Sequence, residues 1–274
     1  MKVFQTDEIR NIALIGAAKS GKTTLAENMV FEGKLINRKG ATESKNTVSD
    51  YRPIEMERGI SVNASLLYTI YNDKKINILD TPGFSDFSGD TVACLSAVDT
   101  AVFTVNAQSG VEATSENAWK HAANTNKPVV FFMNQLDHNN ANFDDAIHQL
   151  KEYFGEKVAP VQFPVNTGEG FNAVIDLIMK KMLVFKNGNG APEIQDIPAN
   201  LADKAEELHN ELIEHAAEGD DALMEKFFDE GTLSEEDMEA GIRMGIAKRE
   251  LFPVICGAAK GGVGVTRLLE FIIN

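Results

Sequence analysis

The octapeptide Gly16-Ala17-Ala18-Lys19-Ser20-Gly21-Lys22-Thr23 fits the pattern G-x-x-x-x-G-K-[ST], the phosphate-binding loop of nucleoside triphosphatases. The chemistry needs these residue types at this spacing. Glycines let the backbone wrap closely enough for its N–H groups to cradle a β-phosphate. Lys22 sets a positive charge between the β- and γ-phosphates, and the Thr23 hydroxyl ligates Mg2+. Before the loop, Asn11–Ile15 reads as a buried strand. After it, Thr24–Met29 reads as a helix whose N-terminus favours anions. Strand, loop and helix in this order predict an α/β fold, a mostly parallel P-loop sheet flanked by helices. The loop alone does not separate a kinase from an ATPase or a GTPase.

Working outward, short apolar runs rich in β-branched and aromatic residues alternate with helical patterns, as a parallel sheet with crossover helices requires. They are Ile12–Ile15, Leu66–Ile70, Ile76–Leu79, Ala101–Val105, Val129–Met133 and Pro253–Cys256. The polar turn Asn72-Asp73-Lys74-Lys75 makes Leu66–Ile70 and Ile76–Leu79 an antiparallel hairpin at one edge. Gly33–Gly59 is polar and aperiodic, and a loop of that length is expected to be functional or disordered. The last two strands are separated by far more chain than a crossover needs, so residues 160–250 are expected to be an inserted α+β subdomain within a GTP-binding domain of residues 1–159 and 251–274. In the insertion, Val161–Val165 and Met182–Lys186 read as strands, and Asn187-Gly188-Asn189-Gly190 as a turn. Leu201, Ala205, Leu208, Leu212 and Ala216 mark one helix face, and Ser234 caps a helix over Glu235–Arg249.

Composition narrows the setting. The chain has 274 residues, 43% of them hydrophobic and 24% charged, which suits an ordinary folded domain. No run approaches the ~18 apolar residues of a membrane helix, and Met1–Arg10 lacks a signal peptide's apolar centre. Cys94 and Cys256 lie far apart, without the spacing of a disulfide framework or a zinc site. A cytoplasmic protein that does not bind a membrane is expected. The net charge is −15, and residues 160–250 carry 20 acidic against 8 basic side chains. Such a bias is either a solvated helical surface or a docking face for a basic partner. With no basic stripe, direct base-specific nucleic-acid binding by this domain is not expected.

Two tetrads decide the nucleotide. Asp80-Thr81-Pro82-Gly83 follows the run Ile76–Leu79, where a carboxylate reaches Mg2+ through water and a glycine N–H reaches a γ-phosphate. Asn134-Gln135-Leu136-Asp137 emerges on the same sheet edge. A carboxylate there accepts hydrogen bonds from guanine N1–H and N2–H2, whereas adenine would leave it desolvated and unpaired. Gly257-Ala258-Ala259 after the last strand is expected to offer backbone N–H groups to guanine O6.

These residues carry a resemblance. Gly16–Thr23, Arg58-Gly59-Ile60-Ser61, Asp80–Gly83, Asn134–Asp137 and Gly257–Ala259 look like the five motifs of translational GTPases. The chain is most similar to elongation factor G, through Asp86-Phe87, Ala141-Asn142-Phe143 and the insertion before the last strand. The resemblance covers nearly the whole chain. It implies GTP and GDP binding with Mg2+ held by Thr23, Ser61 and, through water, Asp80. It places Gly16, Ala17, Ala18, Lys19, Ser20, Gly21, Lys22, Thr23 and Thr24 around the phosphates, with Asp80, Thr81, Pro82 and Gly83. Asn134, Gln135, Asp137, Gly257, Ala258 and Ala259 fall around the base. Lys22 stabilises charge and the Gly83 backbone meets the γ-phosphate. It further implies a monomer that meets the ribosome through a longer protein, whose β-barrel and other domains are absent from this chain. The acidic insertion matches in position the part that meets the ribosomal stalk protein.

The departures bear on activity. The family has His after Asp-Thr-Pro-Gly, where it positions the attacking water on the ribosome; Phe84 stands here and neither bonds water nor carries a proton. No general base is identified, and His121, His138, His148, His209 and His215 lie outside any motif that would replace it. His138 reads as a surface loop residue on the wrong side of the nucleotide. Lys19 stands where the family tends to have Asp, which in some GTPases helps hold a monovalent cation; the lysine either points to solvent or puts its ammonium in that cation's place. Gln135 replaces the usual Lys, and Ser61 replaces Thr and keeps the hydroxyl. The expected function is a guanine-nucleotide switch of the elongation factor G class with weak hydrolysis. The alternatives are a non-hydrolysing ribosome-binding protein, a ribosome-protection protein, the GTPase release factor and, remotely, a P-loop kinase.

Overall fold

The computed structural model describes residues 2–186 and 189–274. Its main sheet is built on β1 (Ile9–Ile15), whose residues Ile12–Ile15 are buried on both faces. Such a run of apolar residues on both faces belongs in the middle of a parallel sheet. The other strands are β2 (Ser65–Tyr71), β3 (Lys74–Asp80), β4 (Thr100–Asn106), β5 (Val129–Asn134), a short β6 (Val158–Pro160) and, much later, β11 (Phe252–Cys256). Their order is β2-β3-β1-β4-β5-β11-β6, and every pairing is parallel except β2 with β3. That hairpin closes through Asn72 and Asp73 alone, both with positive φ, as the tight turn between twisted strands demands.

Six helices belong to this sheet: α1 (Lys22–Glu32), α2 (Pro53–Arg58), α3 (Ser88–Ala97), α4 (Ala113–Asn124), α5 (Phe143–Phe154) and, last in the chain, α9 (Val265–Ile273). Phe103, Phe131, Phe154, Trp119 and Phe252 form a connected aromatic cluster beneath α4 and α5, with Trp119 and Phe154 stacked at 4.7 Å. All the strand runs expected from the sequence are present. Because β1, β3, β5 and β11 run parallel, the loops after them open on one edge, where a ligand site of an open α/β sheet lies.

The chain crosses to a second sheet at Val161, whose N–H donates to Val254 O in the main sheet and whose carbonyl accepts from Leu177 in the other. This sheet is antiparallel, in the order β10-β9-β8-β7, from β7 (Gln162–Pro164), β8 (Ala173–Asp176), β9 (Lys181–Val184) and β10 (Glu193–Gln195). The turn expected at Asn187–Gly190 lies partly outside the described residues. Three helices follow: α6 (Ala202–Glu218), α7 (Asp221–Glu230) and α8 (Glu235–Lys248). Ser234 caps α8 through Asp237 N, and α8 stops one residue short of the expected end because Arg249 turns left-handed. Side-chain contacts bind this part to the rest of the chain, two of them through shared charged groups. Arg267 of α9 forms a two-pronged pair with the buried carboxylate of Asp176, which also accepts from Gln162. Lys39 Nζ donates to both Asn28 of α1 (3.1 Å) and Asn189 (2.9 Å).

Two buried carboxylates brace the polar segment Gly33–Gly59 and the residues just after it. Glu27 of α1 accepts from Gly40 N and Val48 N, and Glu55 of α2 accepts from Val62 N and Asn63 N. The helix within this segment escapes sequence reading because its six residues are too few to show a 3.6-residue period.

Candidate nucleotide site

The loops on the C-terminal edge of β1, β3 and β5 enclose a cleft of about 390 Å³. Its floor is the loop between β1 and α1. Gly21 starts α1 at φ +94°, and a Cβ there would run into the Asn134 amide, so glycine is required on two counts. Lys22 is buried and donates to Gly16 O at 3.0 Å and Ala17 O at 2.7 Å. Burial pushes its ammonium down to about 8, with Asp80 and Glu112 pulling the other way. The Gly83 backbone packs so closely on Ala18 and the Lys22 ammonium that any side chain would collide with them. One lysine is thus held at the junction of the two loops expected to meet terminal phosphates.

Beside it lies a cluster of oxygen ligands. Thr23 Oγ1 donates to Asp80 Oδ2 at 2.9 Å and lies 3.2 Å from Ser61 Oγ, which donates to Asp50 Oδ1 at 2.8 Å. Asp80 is fully buried, and its Oδ1 has no hydrogen-bond partner among the described residues. Burial raises Asp80 to about 6, against the Thr23 hydroxyl and the Lys22 charge, and raises Asp50 as well. A buried carboxylate with an orphan oxygen, next to two hydroxyls and a second carboxylate, fits a hard divalent cation with oxygen ligands. Asp50 escapes sequence reading; it sits in an aperiodic loop, eleven positions from Ser61, with nothing local to mark it.

At the other end, Asn134 Nδ2 donates to Ser20 O at 2.8 Å, and its Oδ1 accepts from Ala259 N at 2.8 Å. This one amide locks the phosphate loop to the loop after β11. Gln135, at φ +63°, donates to Lys19 O at 2.9 Å. Asp137 is exposed and faces the cleft. Gly257, Ala258 and Ala259 are not among the residues that line the cleft; their N–H groups donate to Met133 O, Val263 O and Asn134 Oδ1. Lys260, the next residue, lines the cleft instead and pairs with Glu43 across its mouth at 3.1 Å.

Ala18, Lys19, Gly21, Lys22, Thr23, Thr24, Ser61, Gly83, Asn134, Gln135 and Asp137 all border the cleft. Gly16, Ala17, Ser20, Asp80, Thr81 and Pro82 support it from behind. Ser20 Oγ meets Thr104 Oγ1 at 2.8 Å, and Thr81 Oγ1 donates to Leu14 O at 2.7 Å. His138, set aside on sequence grounds, borders the cleft beside Asp137, although it is exposed. Phe84 is 36% exposed and faces the cleft next to Gly83. Its other side walls a small cavity of about 20 Å³ that holds Asn117 and His121 of α4.

The sequence pattern of the family described as "Elongation factor Tu GTP binding domain" matches residues 7–274. A crystal structure of a protein from Thermus thermophilus superposes with a TM-score of 0.91 at 27% identity, over 97% of this chain and 40% of that one. The chain therefore spans less than half the length of that relative. It belongs to the elongation factor Tu GTP-binding domain family and is a GTP-binding domain of the translational GTPase type.

Proposed function

We propose that this member of the family is the guanine-nucleotide switch of an elongation factor G-like ribosomal translocation factor, with weak GTP hydrolysis. Asp137 accepts from the guanine edge, and Asn134 and Gln135 brace the loops that surround the nucleotide. Lys22 and the Gly83 N–H meet the terminal phosphates. Thr23 and Ser61 would hold Mg2+, with Asp80 and Asp50 beside them acting through water; the metal would supply charge neutralisation at the phosphates. The γ-phosphate then orders the segments around Ser61 and Phe84, and its loss releases them. In the complete protein the acidic insertion meets the ribosome, with the stalk protein as its nearest partner.

The observation that carries the reading is Phe84. It faces the cleft beside Gly83, where the resembling proteins place a histidine. An aromatic hydrocarbon at this point neither orients an attacking water nor accepts its proton. Nucleotide binding is untouched, while the chemical step loses a group typically worth about 10²–10⁴-fold. The test is GTP turnover by the complete protein, with and without ribosomes, for wild type and Phe84→His. Wild type should be slow in both conditions, and the variant should gain about 100-fold or more with ribosomes. A wild-type protein already strongly stimulated by ribosomes would overturn the reading.

A further inference from the structure

Three ammonium groups border the cleft, and two have protein partners. Lys22 is bonded to the Gly16 and Ala17 carbonyls, and Lys260 is paired with Glu43. The third, Lys19, is exposed, and its Nζ makes no hydrogen bond or ion pair among the described residues. Its backbone is nonetheless fixed. Lys19 sits at φ +64°, and its carbonyl is clamped by Gln135 Nε2. An L-residue in the left-handed region costs about 1–2 kcal/mol relative to its ordinary conformations. Four carboxylates border or back the same cleft: Glu43, Asp50, Asp80 and Asp137. Against that field, a further free cation favours entry of a polyphosphate.

We infer that Lys19 is a second phosphate-binding cation of this loop, whose ammonium meets the nucleotide's polyphosphate alongside that of Lys22. The inference rests on the proposal that the cleft takes a guanine nucleotide, but its chemistry concerns only the phosphates. A tethered ammonium released from solvent to phosphate oxygens forms charge-assisted hydrogen bonds, and it makes binding more sensitive to salt.

The test compares wild type with Lys19→Ala and Lys19→Arg, titrated with GDP, ADP, guanosine and inorganic tripolyphosphate at two salt concentrations. Lys19→Ala should weaken GDP and tripolyphosphate by about tenfold and flatten their salt dependence. It should leave guanosine unchanged, and Lys19→Arg should recover most of the loss. An equal loss for guanosine would mean that Lys19 only shapes the loop, and unchanged GDP affinity would mean that it points to solvent; either result overturns the inference. If tripolyphosphate binding depends on Lys19 while GDP has no advantage over ADP, the Lys19 inference stands and the guanine reading falls.

Discussion

Lys22 is a cation kept away from water, and this makes the nucleotide-free chain sensitive to pH. Its ammonium falls from the usual 10.5 to about 8 when folded. Between those values the folded chain holds fewer protons than the unfolded one, so stability rises with pH from about 8 towards 10.5 and is flat below 8 on this account. The melting temperature of nucleotide-free protein should therefore climb in that window, and Lys22→Met should abolish the climb. Bound phosphates restore the proton, so GDP binding at pH 9 should take up protons in calorimetry with buffers of different ionisation enthalpy. At the base end, Asp137→Asn exchanges an acceptor for a donor. GTP affinity should drop by about 100-fold or more while xanthosine triphosphate gains, as a mismatched hydrogen-bonding site requires; unchanged selectivity would remove Asp137 from recognition. These residues are legible in the sequence because strand ends and loop motifs fix them locally. Asp50, Glu43 and Lys260 are not, since only the fold brings them to the cleft.

At the scale of elements, α9 is riveted to the second sheet by Arg267 and Asp176. Both partners are largely buried, and removing one leaves a charge without compensation. Arg267→Ala should cost about 3–5 kcal/mol in denaturant unfolding, while Asp176→Leu with Arg267→Met should restore most of the loss. The longer strands, α6 and the Ser234 cap are legible from alternation, period and capping chemistry. Among the pieces that escape, β6, β8, β10 and α2 are short, and β6 ends in proline. Three or four residues carry no period, and such strands are fixed by the neighbours they pair with.

At the scale of the molecule, the charge is lopsided: the acidic excess rides on residues 160–250, away from the cleft. If that face docks a basic ribosomal partner, reversing four of its charges should weaken ribosome association and flatten its salt dependence. GDP affinity should not change, and undiminished association would leave the face merely solvated. The bridge from Lys39 to Asn28 and Asn189 crosses from the nucleotide-facing half to this acidic half. Lys39 lies at the start of the segment that Glu27 and Glu55 hold over the cleft. A tether between two binding faces works in both directions, and thermodynamic linkage makes the two effects equal. Whatever factor the cleft's occupant imposes on docking at the far face through Lys39, docking must return to the occupant. One ammonium shared by two amides is a contact through which any such coupling would run.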